Sequence, residues 1–78
     1  MISYYVSIMG GIGRVTHLLG PIDEHQKALD MIEPVKQIAS NLDQSIAMFN
    51  SFGVFKIDYE DKDLLKPGLL NHLFMEQL

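Results

Sequence analysis

Apolar and polar positions alternate from Ile2 to Met9. Ile2, Tyr4, Val6 and Ile8 fall on one side, and Ser3, Tyr5, Ser7 and Met9 on the other. A period of two, with β-branched and aromatic residues, predicts a strand with one buried face. Gly10-Gly11-Ile12-Gly13 then supplies positions that tolerate a reversal, and Arg14 to Leu19 runs back as a second strand closed by Gly20-Pro21. Together they read as an antiparallel hairpin.

The period next changes to that of a helix. Ala28, Met31, Ile32, Val35, Ile38, Ala39 and Leu42 recur at spacings of three and four, which makes one apolar stripe. Asp23 stands where an N-cap belongs, and Gln26 three residues on would complete a capping box. Pro34 removes the bond to the Asp30 carbonyl and is expected to kink the helix without changing its register. Beyond Asp43 the β-formers return in Ile46 to Phe49 and Gly53 to Tyr59, around Asn50-Ser51-Phe52. These fit one strand bulged at Gly53 or a second hairpin, and a helical turn over Ser45–Phe52 ended by Gly53 fits as well. Glu60 to Asp63 reads as a surface loop and Pro67-Gly68 as a turn. Leu69 to Gln77 reads as a short helix that turns Leu69, Leu70, Leu73 and Phe74 inward. The expected fold is α+β in a single domain over 1–78: a small antiparallel sheet with helices on one face.

Composition narrows the function more than it defines it. The 78 residues hold no cysteine and no tryptophan, and 47% of them are hydrophobic, so the chain is neither a disulfide scaffold nor a disordered acidic tail. No apolar run approaches the roughly 20 residues of a membrane span. No basic stretch precedes the apolar start as in a secretory signal, and a cytoplasmic location is expected. A net charge of −4 repels phosphate, and the six basic residues form no run, which disfavours direct nucleic-acid binding. The acids along the helix suggest nucleic-acid mimicry, but Lys27 and Lys36 interrupt them, and a solvated face with local ion pairs explains them better.

No catalytic or metal motif completes itself. Gly11-Ile12-Gly13 has Thr16 where a dinucleotide loop needs a small residue, and strand-like sequence follows where a helix must begin. His17, His25 and His72 lack the spacing of a helical zinc site. The acids Asp58, Glu60, Asp61 and Asp63 have Lys62 and Leu64 where a calcium loop needs a ligand or glycine. None of the serines lies in a Gly-x-Ser-x-Gly elbow. No catalytic residue, cofactor or metal is therefore expected. Tyr5 and Met9, on the other side of the first strand, either anchor an interface or complete an irregular core, as does the Leu73-Phe74-Met75 string.

The strings Arg14-Val15-Thr16-His17-Leu18-Leu19-Gly20-Pro21, Phe52-Gly53-Val54-Phe55 and Lys66-Pro67-Gly68-Leu69-Leu70-Asn71 are similar in character to parts of the short, acidic, cysteine-free accessory proteins of phages and plasmids. That resemblance implies a product that binds and blocks a host protein, such as a CRISPR or restriction component or a nuclease. It carries no residue-level role. The expected function is a non-enzymatic protein-binding module, with Tyr5, Met9, Asp58, Glu60 and Asp61 as contact residues and a basic protein surface as partner. A structural homo-oligomer is the alternative.

Overall fold

The alternating segment becomes the middle of a three-stranded antiparallel sheet. The computed structural model describes residues 1–11 and 13–74. Strand β1 (Ile2–Gly10) lies between β2 (Val15–Ile22) and β3 (Asn50–Asp58). Between β2 and β3 the chain forms α1 (His25–Asp30), α2 (Ile32–Leu42) and α3 (Gln44–Phe49), and two short 3-10 turns follow β3, at Lys62–Leu64 and Asn71–Leu73. The α+β architecture with helices on one sheet face is as the periodicities indicate. Among the described residues, no helix is long and apolar enough to cross a membrane.

The hairpin is closed by the Gly10 N–H, which donates to the Arg14 carbonyl at 2.9 Å. Register then drifts: Ser7 lies opposite His17, Val6 opposite Leu19 and Tyr4 opposite Ile22, so β2 is irregular between those pairs. The irregularity lets both Leu18 and Leu19 reach the helix-side core. Gly20 permits it, with φ at +143° and the Tyr5 ring 2.7 Å from where a Cβ would stand. The strand therefore continues through Gly20-Pro21 to Ile22 and does not end there.

The expected kinked helix is present as a bent one, in which the single residue Met31 separates α1 from α2. Helix α1 starts after Glu24, whose extended backbone (φ −114°, ψ 129°) makes it the N-cap without a side-chain bond. Asp23 does not cap, and Gln26 donates to Asp30 Oδ1 at 2.9 Å instead of completing a box. The break falls at Met31, one turn before Pro34, because the missing proline N–H and its ring act on the turn that precedes it. Pro34 thus sits in the first turn of α2, where it costs no intrahelical bond. Ala28, Met31, Val35 and Ala39 pack against Val6, Leu19 and Ile22, while Leu42 at the end of the stripe is 64% exposed.

Ile46 to Phe49 is helical, not a strand. Asp43 accepts from the Ser45 N–H at 3.0 Å and from Ser45 Oγ at 2.7 Å, and this N-cap starts α3 directly after α2. Those two bonds hold the Asp43 carboxyl below its usual range. From Asn50 the chain is one strand, paired with β1 in unbroken register from Gly10–Asn50 to Ile2–Asp58, so Gly53 makes no bulge.

The last described segment is the largest surprise. Residues 68–70 turn against β2: Gly68, Leu69 and Leu70 donate to the carbonyls of Gly20, His17 and Leu18 at 3.1, 3.1 and 2.7 Å. The turn leads into the 3-10 turn at Asn71–Leu73, so of the expected helix the described residues form that single short turn. Leu69 and Leu73 consequently point to solvent, and Phe74 alone of the four expected residues is fully buried. Positions 75–77 of the expected helix lie outside the described residues. Asn71 completes the seam, its carboxamide accepting from the Gly20 N–H at 2.9 Å and donating to the Gly20 carbonyl.

Gly68 is the tightest point. A Cβ there would lie 2.5 Å from the Leu18 carbonyl oxygen and 2.6 Å from Leu19 N, both backbone atoms that have no rotamer to escape into. Gly68→Ala is expected to lower stability by about 1–3 kcal/mol and to speed exchange of the Leu69 and Leu70 amides. Urea denaturation with amide exchange checks both, and unchanged protection at Leu69 and Leu70 would disprove the account of the seam.

Candidate functional site

The sheet face away from the helices carries the candidate residues. Ser3, Tyr5, Ser7 and Met9 share it with His17 of β2 and, by register, with Ile57, Phe55, Gly53 and Ser51 of β3. After β3 the chain turns at Tyr59 and passes over one end of this face before it joins the β2 edge. Tyr5 Oη donates to the Lys66 carbonyl at 2.6 Å, which ties the crossing segment down.

Tyr5 is thus 2% exposed, a correction to its expected place on an open surface. The physical reason is the crossing segment, which converts half of the outer face into a second small core. Burial also raises the Tyr5 phenol above its ordinary value. Ser3 and Ser7 are fully buried with it.

Inside this second core lies a group that sequence reasoning did not assemble. His17 stacks on Tyr5 with ring centroids 4.4 Å apart and meets Phe55 edge-on at 6.2 Å. Its Nδ1 shares a 2.6 Å hydrogen bond with Ser7 Oγ. A cleft of about 210 Å³ opens beside it, lined by Tyr5, His17, Ile57, Leu64, Leu65 and Lys66. A serine–histidine contact invites comparison with a nucleophilic pair, but Ser7 is closed to solvent and no carboxylate hydrogen-bonds His17 among the described residues. As placed, the pair orients the imidazole and satisfies a buried hydroxyl. The signal was available: a reversal at residues 11–13 sets position 7 opposite position 17.

The remaining candidates lie at the two ends of β3. Met9, 41% exposed, faces Ser51 at one end, with exposed Val15 across the hairpin. Asp58, Glu60 and Asp61 are exposed at the other end, roughly 23 Å away at the rise of a strand. Asp58 lies 3.3 Å from the Met1 ammonium, a highly exposed pair of small energetic consequence. Asp61 Oδ1 accepts from the Asp63 N–H at 3.0 Å and so shapes its own turn. Among the described residues, no group of three or more His, Asp or Glu is arranged to hold a metal ion.

The two sheet edges are treated differently. The β2 edge is covered by residues 68–71, whereas β3 has β1 as its one strand neighbour among the described residues. Phe52, Val54 and Phe55 along it are half-exposed, and Lys56 is its lone basic residue. Natural sheets usually guard such an edge. Compared with known protein families, with curated proteins and with solved structures, the chain matches none.

Burial pushes the His17 imidazole below its ordinary value of 6.5. The unfolded chain therefore binds this proton more readily, and the His17 contribution is lost as pH falls through 6.5 towards the folded value. His17→Phe keeps a ring between Tyr5 and Phe55 but cannot titrate. Its stability deficit relative to the parent is expected to narrow between pH 7.5 and pH 5.5 in paired thermal melts. A deficit constant across that range would show that His17 does not titrate with folding.

Proposed function

We propose that this chain is a non-enzymatic protein-binding module that engages another protein along the β3 edge. The observation carrying this reading is the contrast between edges: among the described residues, a nine-residue strand has no strand partner on one side, while its counterpart across the sheet is covered by residues 68–71. An extended segment laid against β3 gains main-chain hydrogen bonds along its length, and half-buried Phe52, Val54 and Phe55 supply apolar contact on both faces.

The ends of the strand give such a docking event a direction. Met9 offers an apolar contact beside Ser51, and Asp58, Glu60 and Asp61 place negative charge at the far end. The acids then steer a basic partner, acting mainly on the association rate. The blocking role implied by the resemblance to mobile-element accessory proteins corresponds to occlusion of the partner's own strand or groove. Tyr5 takes no part as a direct contact, because it is sealed under the crossing segment.

Lys56→Pro tests the edge with little disturbance of the fold, since its side chain is exposed and its N–H points away from β1, as derived below. Tagged parent protein, Lys56→Ala and Lys56→Pro are used to recover partners from a nuclease-treated lysate of the source cell. The expected result is one stoichiometric partner held by the parent and by Lys56→Ala and lost with Lys56→Pro. Equal capture by a folded Lys56→Pro variant would place the contact elsewhere. A second experiment concerns steering: charge reversal at Glu60 and Asp61 is expected to slow association with that partner, to leave dissociation nearly unchanged and to flatten the salt dependence. An unaltered salt dependence would remove the steering role.

A further inference from the structure

The outward-facing groups of β3 follow from one pair at its end. The Met1 ammonium donates to the Tyr59 carbonyl at 3.0 Å, and the Tyr59 N–H donates to the Met1 carbonyl at 2.8 Å. Residues that exchange both bonds form the narrow pair of an antiparallel ladder, and such pairs recur at every second position. Register is unbroken from there to Gly10–Asn50. Odd-numbered residues of β3 therefore turn their main chain towards β1, and Asn50, Phe52, Val54, Lys56 and Asp58 turn theirs outward. The other strand agrees: even-numbered Gly10 donates across the hairpin to Arg14.

We propose that a second copy of the chain occupies this edge, with β3 pairing antiparallel to its own equivalent about a two-fold axis through Val54. The proposal rests on the reading of β3 as the docking edge and names its occupant. The outward groups are symmetric about Val54, so Phe52 meets the partner's Lys56, Asn50 meets the partner's Asp58, and Val54 meets its equivalent. Every outward N–H then faces an outward carbonyl over the whole strand. Shifting the axis to Phe55 or Gly53 shortens the overlap, and shifting it to Lys56 sets the two lysines against each other.

Side chains favour the same register. On the outer face Gly53 comes opposite the partner's Phe55. A Cβ at Gly53 would find nothing within 4 Å, so there is open space for that ring, and a half-exposed phenylalanine covering a cross-strand glycine recovers the packing that glycine lacks. No like charges meet: Lys56 lies across from an aromatic ring and Asp58 across from an amide.

The assembly also terminates itself. The axis stands perpendicular to the sheet, so strands run in the order β2-β1-β3-β3-β1-β2 with both helical layers on one face. Each outer edge is then β2, which residues 68–71 already cover. A closed isologous dimer uses up both β3 edges, and the segment against His17–Gly20 obstructs further growth at β2. An external protein that uses β3 must displace the second copy, so its apparent affinity falls as the concentration of the chain rises.

Sedimentation velocity from about 1 µM to about 1 mM, combined with amide exchange by NMR, tests the proposal on the intact chain. The expected result is a concentration-dependent dimer in which the Phe52, Val54 and Lys56 amides exchange about tenfold more slowly than in the dilute monomer. The Gly53 methylene protons shift upfield under the Phe55 ring, and Lys56→Pro abolishes all three effects. A chain that stays monomeric throughout, or a dimer whose three amides are not slowed, overturns self-pairing. Neither outcome touches the wider reading of β3 as a docking edge, which fails separately if partner capture survives Lys56→Pro.

Discussion

The approach of Gly68 to the Leu18–Leu19 backbone, closer than any side chain would allow, decides where the last part of the chain goes. Once residues 68–70 are laced to β2, the segment between Tyr59 and Pro67 has no route except across the outer sheet face. That crossing seals Ser3, Tyr5 and Ser7, and the Tyr5 hydroxyl answers by holding the Lys66 carbonyl. Phe74 is carried round to the helix-side core by the same path. A chain this small has little apolar surface to spare. The seam lets β1 be buried on both sides, with one core under the helices and another under the crossing segment.

Electrostatics contribute little to this stability and more to its distribution. The one ion pair among the described residues, Met1 with Asp58, is highly exposed. Hydrogen bonds of buried groups matter more: His17 with Ser7, Tyr5 with Lys66, and Asn71 with both polar groups of Gly20. Breaking one partner of such a bond leaves the other unsatisfied, which typically costs about 1–3 kcal/mol. Four of the ten acids, Asp58, Glu60, Asp61 and Asp63, meanwhile collect near the end of β3 as exposed residues.

The first strand, the hairpin and the core stripe of α1 and α2 were legible in the sequence because each follows a local periodicity. Val6, Ala28, Val35 and Ala39 needed only spacing to be placed. The bend expected from Pro34 centres on Met31, because proline acts on the turn that precedes it. Ile46 to Phe49 misled because β-branched and aromatic residues suggest a strand, while the Asp43 cap starts a helix. Nothing local told that Leu69 and Leu70 would pair with β2, because that choice depends on the Leu18–Gly20 backbone some fifty positions earlier. The same non-local event hid the site: Tyr5 points where the alternation puts it, but its cover comes from Lys66 and its neighbours. Alternation put Met9 on the outer side of β1 and polarity put the acids of the β3 end on the surface, whereas the β3 edge required the sheet order, which no sequence pattern states.

The sheet order also bears on how the chain is made. Its central strand is synthesised before both of its sheet neighbours, and the local hairpin with β2 can close as soon as Ile22 has cleared the exit. The other side of β1 must wait for β3, whose last residue is Asp58. At about 5–20 residues per second this leaves an apolar hairpin half-paired for seconds during every round of synthesis. Within that interval β1 presents a hydrogen-bonding edge that β3 later covers. The arrangement that places the best-buried strand at the centre therefore makes the speed of translation between Ile22 and Asp58 part of the folding problem.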